Sequence, residues 1–308
     1  MGAVKLQQLK QTAPAEIMNY RNLITCQSII SCLIGLSGLA CLFLLSGMAN
    51  KAHAQWSMGA RNMALGKAHT ALPSDNWAVF YNPALIDHDN ASAGFFAIRH
   101  YGLRELEDHA AVVSIPSGAH FRWLKLPIAT AAGFHSYGFD LFRETQVRLG
   151  ISIRIERIQV GFSTSYNHLR VEGYGSHSSP VFDSGILIEL TDRLRMGYRI
   201  SNLFHTGSRS SEINTHPAEM SGGFSWYGLP GILLTADVVK DDLHPLSVRT
   251  GAEVRLAENI AIRGGWTTRP FTWSAGAGLQ ISGFQGNFAV QKHEILGLSP
   301  GIDLMFAF

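Results

Sequence analysis

Strict alternation of apolar and polar side chains is the strongest signal in this sequence. Along 147–155 the odd positions are Val, Leu or Ile and the even positions are Arg, Gly or Ser, and the segments 194–200 and 246–256 repeat the pattern. A period of two predicts β-strands with one apolar and one polar face. Most of these segments have ten residues or more, which favours strands that cross a membrane over the shorter strands of a soluble sandwich.

Fourteen segments are predicted to be strands, and an even number is typical of a bacterial single-chain barrel. They are 94–101, 109–115, 126–136, 142–154, 158–170, 181–190, 193–203, 217–227, 231–240, 246–256, 259–268, 271–281, 284–292 and 300–308. From the fourth strand onward, short and long connections alternate, as expected for short periplasmic turns and long external loops. We therefore expect an all-β fold, a transmembrane antiparallel β-barrel over 93–308. The expected external loops are 171–180, 204–216, 241–245 and 292–299.

The first 54 residues have the pattern of a secretory signal peptide. A charged start precedes an uncharged apolar run over 29–45, and the segment ends in Ala52-His53-Ala54. This order of charged, apolar and small residues is typical of a cleaved leader. The start codon is Met1 or Met18, and an uncleaved anchor helix is the alternative. The sequence thus predicts export, with the bacterial outer membrane as the destination of the barrel.

Removal of this leader would leave a chain without cysteine. All three cysteines lie before residue 54, and the remainder carries 21 basic and 22 acidic residues. A nearly neutral chain gives no electrostatic case for nucleic-acid binding. No P-loop, G-x-S-x-G or metalloprotease motif occurs in the remainder, and its histidines lack metal-ligand spacing. We predict no enzyme, no catalytic residue, no metal and no cofactor; an acidic and histidine-containing loop at 241–244 is read as solvated.

Residues 55–92 lack the strand period and contain two short segments of helical character, near 59–69 and 77–81. Gly59-Ala60-Arg61, Met63, Gly66 and Asn82-Pro83-Ala84 resemble the N-terminal motif of the PorV/PorQ family, relatives of the FadL fatty-acid channels. Lys67 and His69 depart from the usual pattern, in which a second glycine and an aromatic residue are common. The resemblance implies a fourteen-stranded barrel with residues 55–92 folded into the lumen as a hatch; a mobile periplasmic tail is the alternative.

This resemblance implies two classes of function. The first is an interaction or shuttle component of type IX protein secretion or surface attachment, with exported cargo or secretion-system proteins as partners. The alternative is a FadL-like transporter of hydrophobic small molecules across the outer membrane. Outer-membrane lipid and the outer-membrane assembly machinery are further expected partners, since the last strand is amphipathic and ends on Phe308. That terminal phenylalanine resembles the signal recognised by the assembly machinery.

The polar face of the predicted strands supplies a set of charged residues for the lumen. They are Arg148, Arg154, Asp183, Glu189, Arg195, Arg199, Asp237, Arg249, Glu253, Arg255, Arg263 and Asp303. One interpretation is a lumen whose charges tune selectivity, and the other is a salt-bridged network that holds the hatch. Tyr166, Tyr198, Trp226, Trp266 and Trp273 fall on the apolar face and are expected to contact lipid near the membrane interfaces.

We expect the exported protein to begin at Gln55, because Ala52-His53-Ala54 closes the apolar run with a small-x-small cleavage site. N-terminal sequencing of the protein from an outer-membrane fraction checks this. An intact leader on the protein, recovered with the inner membrane, would contradict the signal-peptide interpretation.

Overall fold

The computed structural model describes residues 58–73, 75–117, 126–204, 217–242 and 244–308, and the predicted leader lies outside the described residues. Fourteen strands close into one barrel in which every neighbouring pair is antiparallel and β1 pairs with β14. The strands are β1 Ser92–Arg99, β2 Glu107–Ser117, β3 Ile128–Phe139, β4 Phe142–Ile155, β5 Ile158–Val171, β6 Gly175–Glu189, β7 Leu194–Ser201, β8 Glu219–Leu229, β9 Ile232–Asp241, β10 Ser247–Ala257, β11 Ile260–Thr268, β12 Phe271–Ile281, β13 Phe284–His293 and β14 Gly297–Ala307. The predicted fold class is confirmed.

The alternation in sequence becomes an inward and an outward face of the barrel wall. Along β4, the side chains of Val147 and Leu149 are exposed on the outside, whereas Arg148 is buried on the inside. Tyr166, Trp226, Trp266 and Trp273 are likewise exposed on the outer face. An apolar exterior and a polar interior are the reverse of a soluble fold and are characteristic of a barrel that faces lipid.

Two predicted external loops are wrong because their polar residues extend the strands. Gly175 pairs with Val171 and Pro180 pairs with Tyr166, so the connection between β5 and β6 is only 172–174. The connection between β13 and β14 likewise shrinks to 294–296. Backbone pairing continues here without the apolar side chains that the sequence prediction used. The regular alternation of short and long connections also fails, since β11 and β12 are joined by 269–270 alone.

The described residues between 58 and 91 lie inside the barrel, and we call residues 58–91 the hatch segment. It contains one short helix, α1 (Ala60–Ala64), and two 3₁₀ turns, at Ala78–Phe80 and Pro83–Leu85. Both predicted helical segments therefore exist, although each is shorter than expected. The Asn82 side chain accepts a hydrogen bond from the Ala84 backbone N–H at 3.1 Å, which caps the second turn. Proline at its first position fits because proline has no N–H to be satisfied.

Among the described residues, no helix combines the length and the apolar character needed to cross a bilayer.

The barrel has two ends. The terminal end is where β1 begins and β14 ends, and the distal end is the opposite one. Since the predicted leader delivers the N-terminus to the periplasm, we expect the distal end to face the cell exterior.

We expect a cysteine at Tyr174 to react with a membrane-impermeant maleimide on intact cells, because Tyr174 is 92% exposed in the distal turn between β5 and β6. A cysteine at Asp192, in the terminal-end connection between β6 and β7, should react only after the membrane is opened. The predicted mature chain has no cysteine of its own to give background labelling. The reverse pattern would invert the orientation.

Candidate functional site

A cluster of three charged side chains fastens the start of the hatch segment to the wall. Arg61 of α1 donates through Nε to Glu253 Oε2 of β10 at 2.8 Å, and Arg263 of β11 donates through its own Nε to the same oxygen at 2.7 Å. The Glu253 side chain is only 4% exposed. Ion pairs this deeply buried gain strength from the low dielectric but carry a desolvation cost. We call Arg61, Glu253 and Arg263 the ion-pair clasp.

Two further wall carboxylates accept hydrogen bonds from backbone groups of the hatch segment. The Ala60 backbone N–H donates to Asp303 Oδ2 on β14 at 2.6 Å. The Thr70 backbone N–H and hydroxyl both donate to Asp237 Oδ2 on β9 at 2.8 Å. The first bond satisfies an otherwise unpaired donor at the start of α1, as an N-cap side chain would. The segment is thereby held on two different sides of the barrel.

The Asn-Pro-Ala motif fixes the return of the hatch segment toward β1. The Asn82 side-chain amide donates to the Thr70 carbonyl at 2.7 Å and to the Ile186 carbonyl of β6 at 3.4 Å. This one side chain therefore joins two parts of the hatch segment to the wall. Asp75 also links the segment internally, since it accepts from the Asn62 side chain at 2.7 Å and from the Trp77 backbone N–H at 3.0 Å.

Buried ionisable groups in the hatch segment have shifted pKa values. Burial raises the pKa of Asp75 against the opposing effects of Arg61 and of the two hydrogen bonds it accepts. Burial, followed by the positive charges of Arg249, Arg199 and Lys67, holds the pKa of His69 well below its ordinary value. The neutral His69 ring stacks on Tyr81 with ring centroids 4.0 Å apart. His69 and Tyr81 therefore contribute to packing within the hatch segment.

Inward-facing glycines let the hatch segment approach the wall closely. Nine of them lie against it: Gly133, Gly150, Gly161, Gly185, Gly197, Gly251, Gly265, Gly276 and Gly301. At eight of the nine, a Cβ atom would fall within 3.0 Å of a hatch atom. Such a distance is an overlap, so these positions exclude any larger side chain unless the hatch moves. The glycines occupy nine different strands, and they seat the hatch around most of the barrel.

The remaining lumen charges form pairs among themselves. Arg148 on β4 pairs with Asp183 on β6, which also accepts from the Ser201 hydroxyl at 2.6 Å. Arg199 donates to Glu219 at 3.1 Å, and Arg249 lies 3.9 Å from the other oxygen of that carboxylate. Arg249 also reaches the Lys67 carbonyl of the hatch segment at 3.5 Å. These contacts form a network of ion pairs on the inner wall.

Four of the predicted lumen charges lie toward the terminal end and are less buried. Arg154 pairs with Asp89 at 3.3 Å, and Glu189 pairs with Arg195 at 2.9 Å. Arg255 is exposed and lines a cavity of about 220 Å³ between the hatch segment and β10–β13. These four residues therefore lie on the wall near the terminal end, outside the buried contact between the wall and the hatch segment. Phe308 follows β14, and its backbone N–H donates to the Ala91 carbonyl at 2.9 Å.

Sequence reasoning missed several residues that hold the hatch segment. Thr70 is a polar residue in a segment without a strand period, and nothing in the pattern singles it out. A second missed cluster lies toward the distal end, where Asp108 accepts from His100 at 2.6 Å and from His135 at 2.8 Å. The wall glycines carried the one usable signal, since glycine is uncommon inside strands unless a backbone approaches closely.

Solved structures supply the comparison with known proteins. The chain is similar to a CymD monoaromatic hydrocarbon channel with a TM-score of 0.61 and 14% identity, over 83% of this chain and 99% of that one. It is similar to the deltaS2 mutant of the TodX monoaromatic hydrocarbon channel with a TM-score of 0.55 and 12% identity, over 81% and 97%. This likeness shows that the chain shares the barrel fold of these channels, and the chain is an outer-membrane β-barrel.

No family model and no curated protein matches the sequence, so the PorV/PorQ resemblance stays a prediction. The two structural neighbours are themselves named as channels, and the absence of enzymatic activity stays a prediction for this chain.

We expect Glu253→Ala to raise the ion conductance of the purified barrel in planar bilayers. The change leaves the two arginines of the clasp without their shared carboxylate, and breaking a buried pair costs about 3–5 kcal/mol. Glu189→Ala is the matched control, since Glu189 also pairs with an arginine, but that arginine, Arg195, lies on the wall. Equal conductance in both variants and the unaltered protein would contradict a docking role for the clasp.

Proposed function

We propose that the protein is a FadL-like transporter that passes hydrophobic small molecules across the outer membrane, with the hatch segment as its movable plug. The observation that carries this proposal is an apolar strip between the hatch segment and one side of the wall. The fold it shares with monoaromatic hydrocarbon channels supports the same function.

The apolar strip runs along β14, β1, β2 and β3. On these strands the inward side chains include Phe96, Ile98, Val112, Ala131 and Met305, all buried. They form one cluster with apolar residues of the hatch segment, namely Met58, Met63, Val79, Phe80 and Ile86. The hatch segment meets the carboxylates Glu253 and Asp237 on other strands, and it meets Asp303 on β14, two residues from Met305. A hydrophobic passenger would be compatible with the apolar strip and not with these charged contacts.

Passage requires the hatch segment to move. The wall glycines place hatch backbone directly against the barrel, and Phe80, Val79 and Ile86 fill the space next to Gly133 and Gly150. The polar anchors hold the hatch segment in place, and most of them lie on other strands than the apolar strip. We therefore propose that the anchors release when the hatch segment moves, and that the passenger then passes along the apolar strip.

The closed lumen favours a second candidate function, a component of type IX secretion or surface attachment. The hatch segment lies against glycines of nine strands and closes the lumen. A barrel that holds exported cargo does not need an open lumen for ions or small molecules. In that case the hatch segment is a permanent filling, and the partner binds elsewhere on the protein.

A reversible lock on the hatch segment tests transport. In Thr70→Cys/Asp237→Cys the two cysteines replace a hydroxyl and a carboxylate whose oxygens are 2.8 Å apart, which is close enough for a disulfide after a small adjustment. We expect the oxidised variant to lose uptake of labelled toluene into outer-membrane vesicles and to regain it on reduction. Each single-cysteine variant is the control for loss of the native hydrogen bonds.

Saturable uptake that is unaffected by oxidation would contradict the movable plug. No protein-dependent uptake by the unaltered protein, together with co-purification of an exported protein, would favour the secretion role.

A further inference from the structure

A groove lies on the outer wall of the barrel near the distal end, away from the lumen. It has a volume of about 370 Å³ and crosses β13, β14, β1 and β2. Its lining includes the outward side chains of Phe288, Pro300, Ile302 and Ala97, with His109 at its edge. Because the chain is an outer-membrane barrel, this outward face lies against lipid.

The groove exists because one residue in a row of large side chains is small. Ala97 pairs directly with Ile302 on one side and with His109 on the other, and Ile302 pairs in turn with Phe288. The side chains of Phe288 and Ile302 project outward with 51% and 49% of their surface exposed. Alanine between such neighbours leaves an apolar depression whose floor is backbone.

Basic side chains border the groove on its distal edge. Arg99 lies 2.6 Å from Glu107, and its side chain remains 47% exposed. His109 lies 3.6 Å from the Glu107 carboxylate. The positive charge of Arg104 also acts on Glu107. Arg99 can donate to an anion at this edge, because its side chain is half exposed and its guanidinium carries more N–H groups than its pair with Glu107 uses.

We propose that this groove binds the phosphate-bearing glycolipid of the outer leaflet, with one acyl chain in the depression and a headgroup phosphate on Arg99. The apolar side chains that line the depression suit a hydrocarbon chain, and Arg99, two residues beyond Ala97 toward the distal end of β1, suits a phosphate. The location follows from the orientation expected above, in which the distal end faces the cell exterior. The proposal does not depend on what passes through the lumen.

Binding of purified lipid A to the detergent-solubilised barrel, followed by native mass spectrometry, tests the proposal. We expect Arg99→Gln to weaken lipid A binding about fivefold, since an exposed charge pair contributes up to about 1 kcal/mol. Ala97→Phe fills the depression and should weaken binding at least as much. Ala93→Phe is the matched control at an outward position nearer the terminal end of β1, and Arg143→Gln is the control for an exposed distal arginine.

Each outcome bears on the proposal. Weaker binding in Ala97→Phe and Arg99→Gln, with both controls unchanged, supports it. Equal binding by all variants overturns it, as does equal binding of phosphatidylglycerol and lipid A to the unaltered protein. If Ala97→Phe does not fold, as judged by heat-modifiable migration on a gel, Arg99→Gln still decides. Displacement of lipid A by toluene from the groove would also overturn it, because the groove would then belong to the transport route.

Discussion

The space enclosed by fourteen strands determines most of what this protein is. Side chains alone fill the interior of a barrel of about eight strands, and a wider barrel needs additional material or holds water. Here the hatch segment supplies that material, and its residues are among the most deeply buried in the described chain. The apolar core of the molecule is therefore inside the barrel, between the hatch segment and the wall, while the outer face of the same wall faces lipid.

Filling this space imposes two different chemistries on the wall. Where the hatch segment presents Met63, Phe80 and Ile86, the wall presents apolar side chains. Where it presents backbone N–H groups and Arg61, the wall presents carboxylates. Buried polar groups need partners to offset their lost hydration, so the carboxylates cannot be exchanged for apolar residues without leaving hatch donors unpaired. The hatch segment therefore makes apolar contacts with one side of the wall and is anchored by polar contacts that lie mostly on other strands.

The sequence predicts the barrel well because each strand carries its own period of two. Strand β12 begins and ends where the alternation does, at Phe271 and Ile281. The sequence predicts one end of β6 poorly, because the polar residues 175–179 have the pattern of a loop although their backbone pairs with β5. The lumen charges were also predictable as a set, but their partners were not. Pairing of Arg61 with Glu253 joins residues 192 positions apart, and no local pattern encodes such a contact.

The arrangement of the anchors keeps the cost of releasing the hatch segment low. When Arg61 leaves Glu253, that carboxylate keeps Arg263 at 2.7 Å, and when the Ala60 N–H leaves Asp303, that carboxylate keeps Asn287 at 2.6 Å. Arg61 in turn keeps its bond to the Pro73 carbonyl at 3.1 Å within the segment. The large penalty for breaking a buried pair comes from leaving one charge unpaired, and here Glu253 and Asp303 retain a partner after release. These second partners satisfy the buried carboxylates while the hatch segment is in place, and they would also lower the cost of its departure if it leaves and returns.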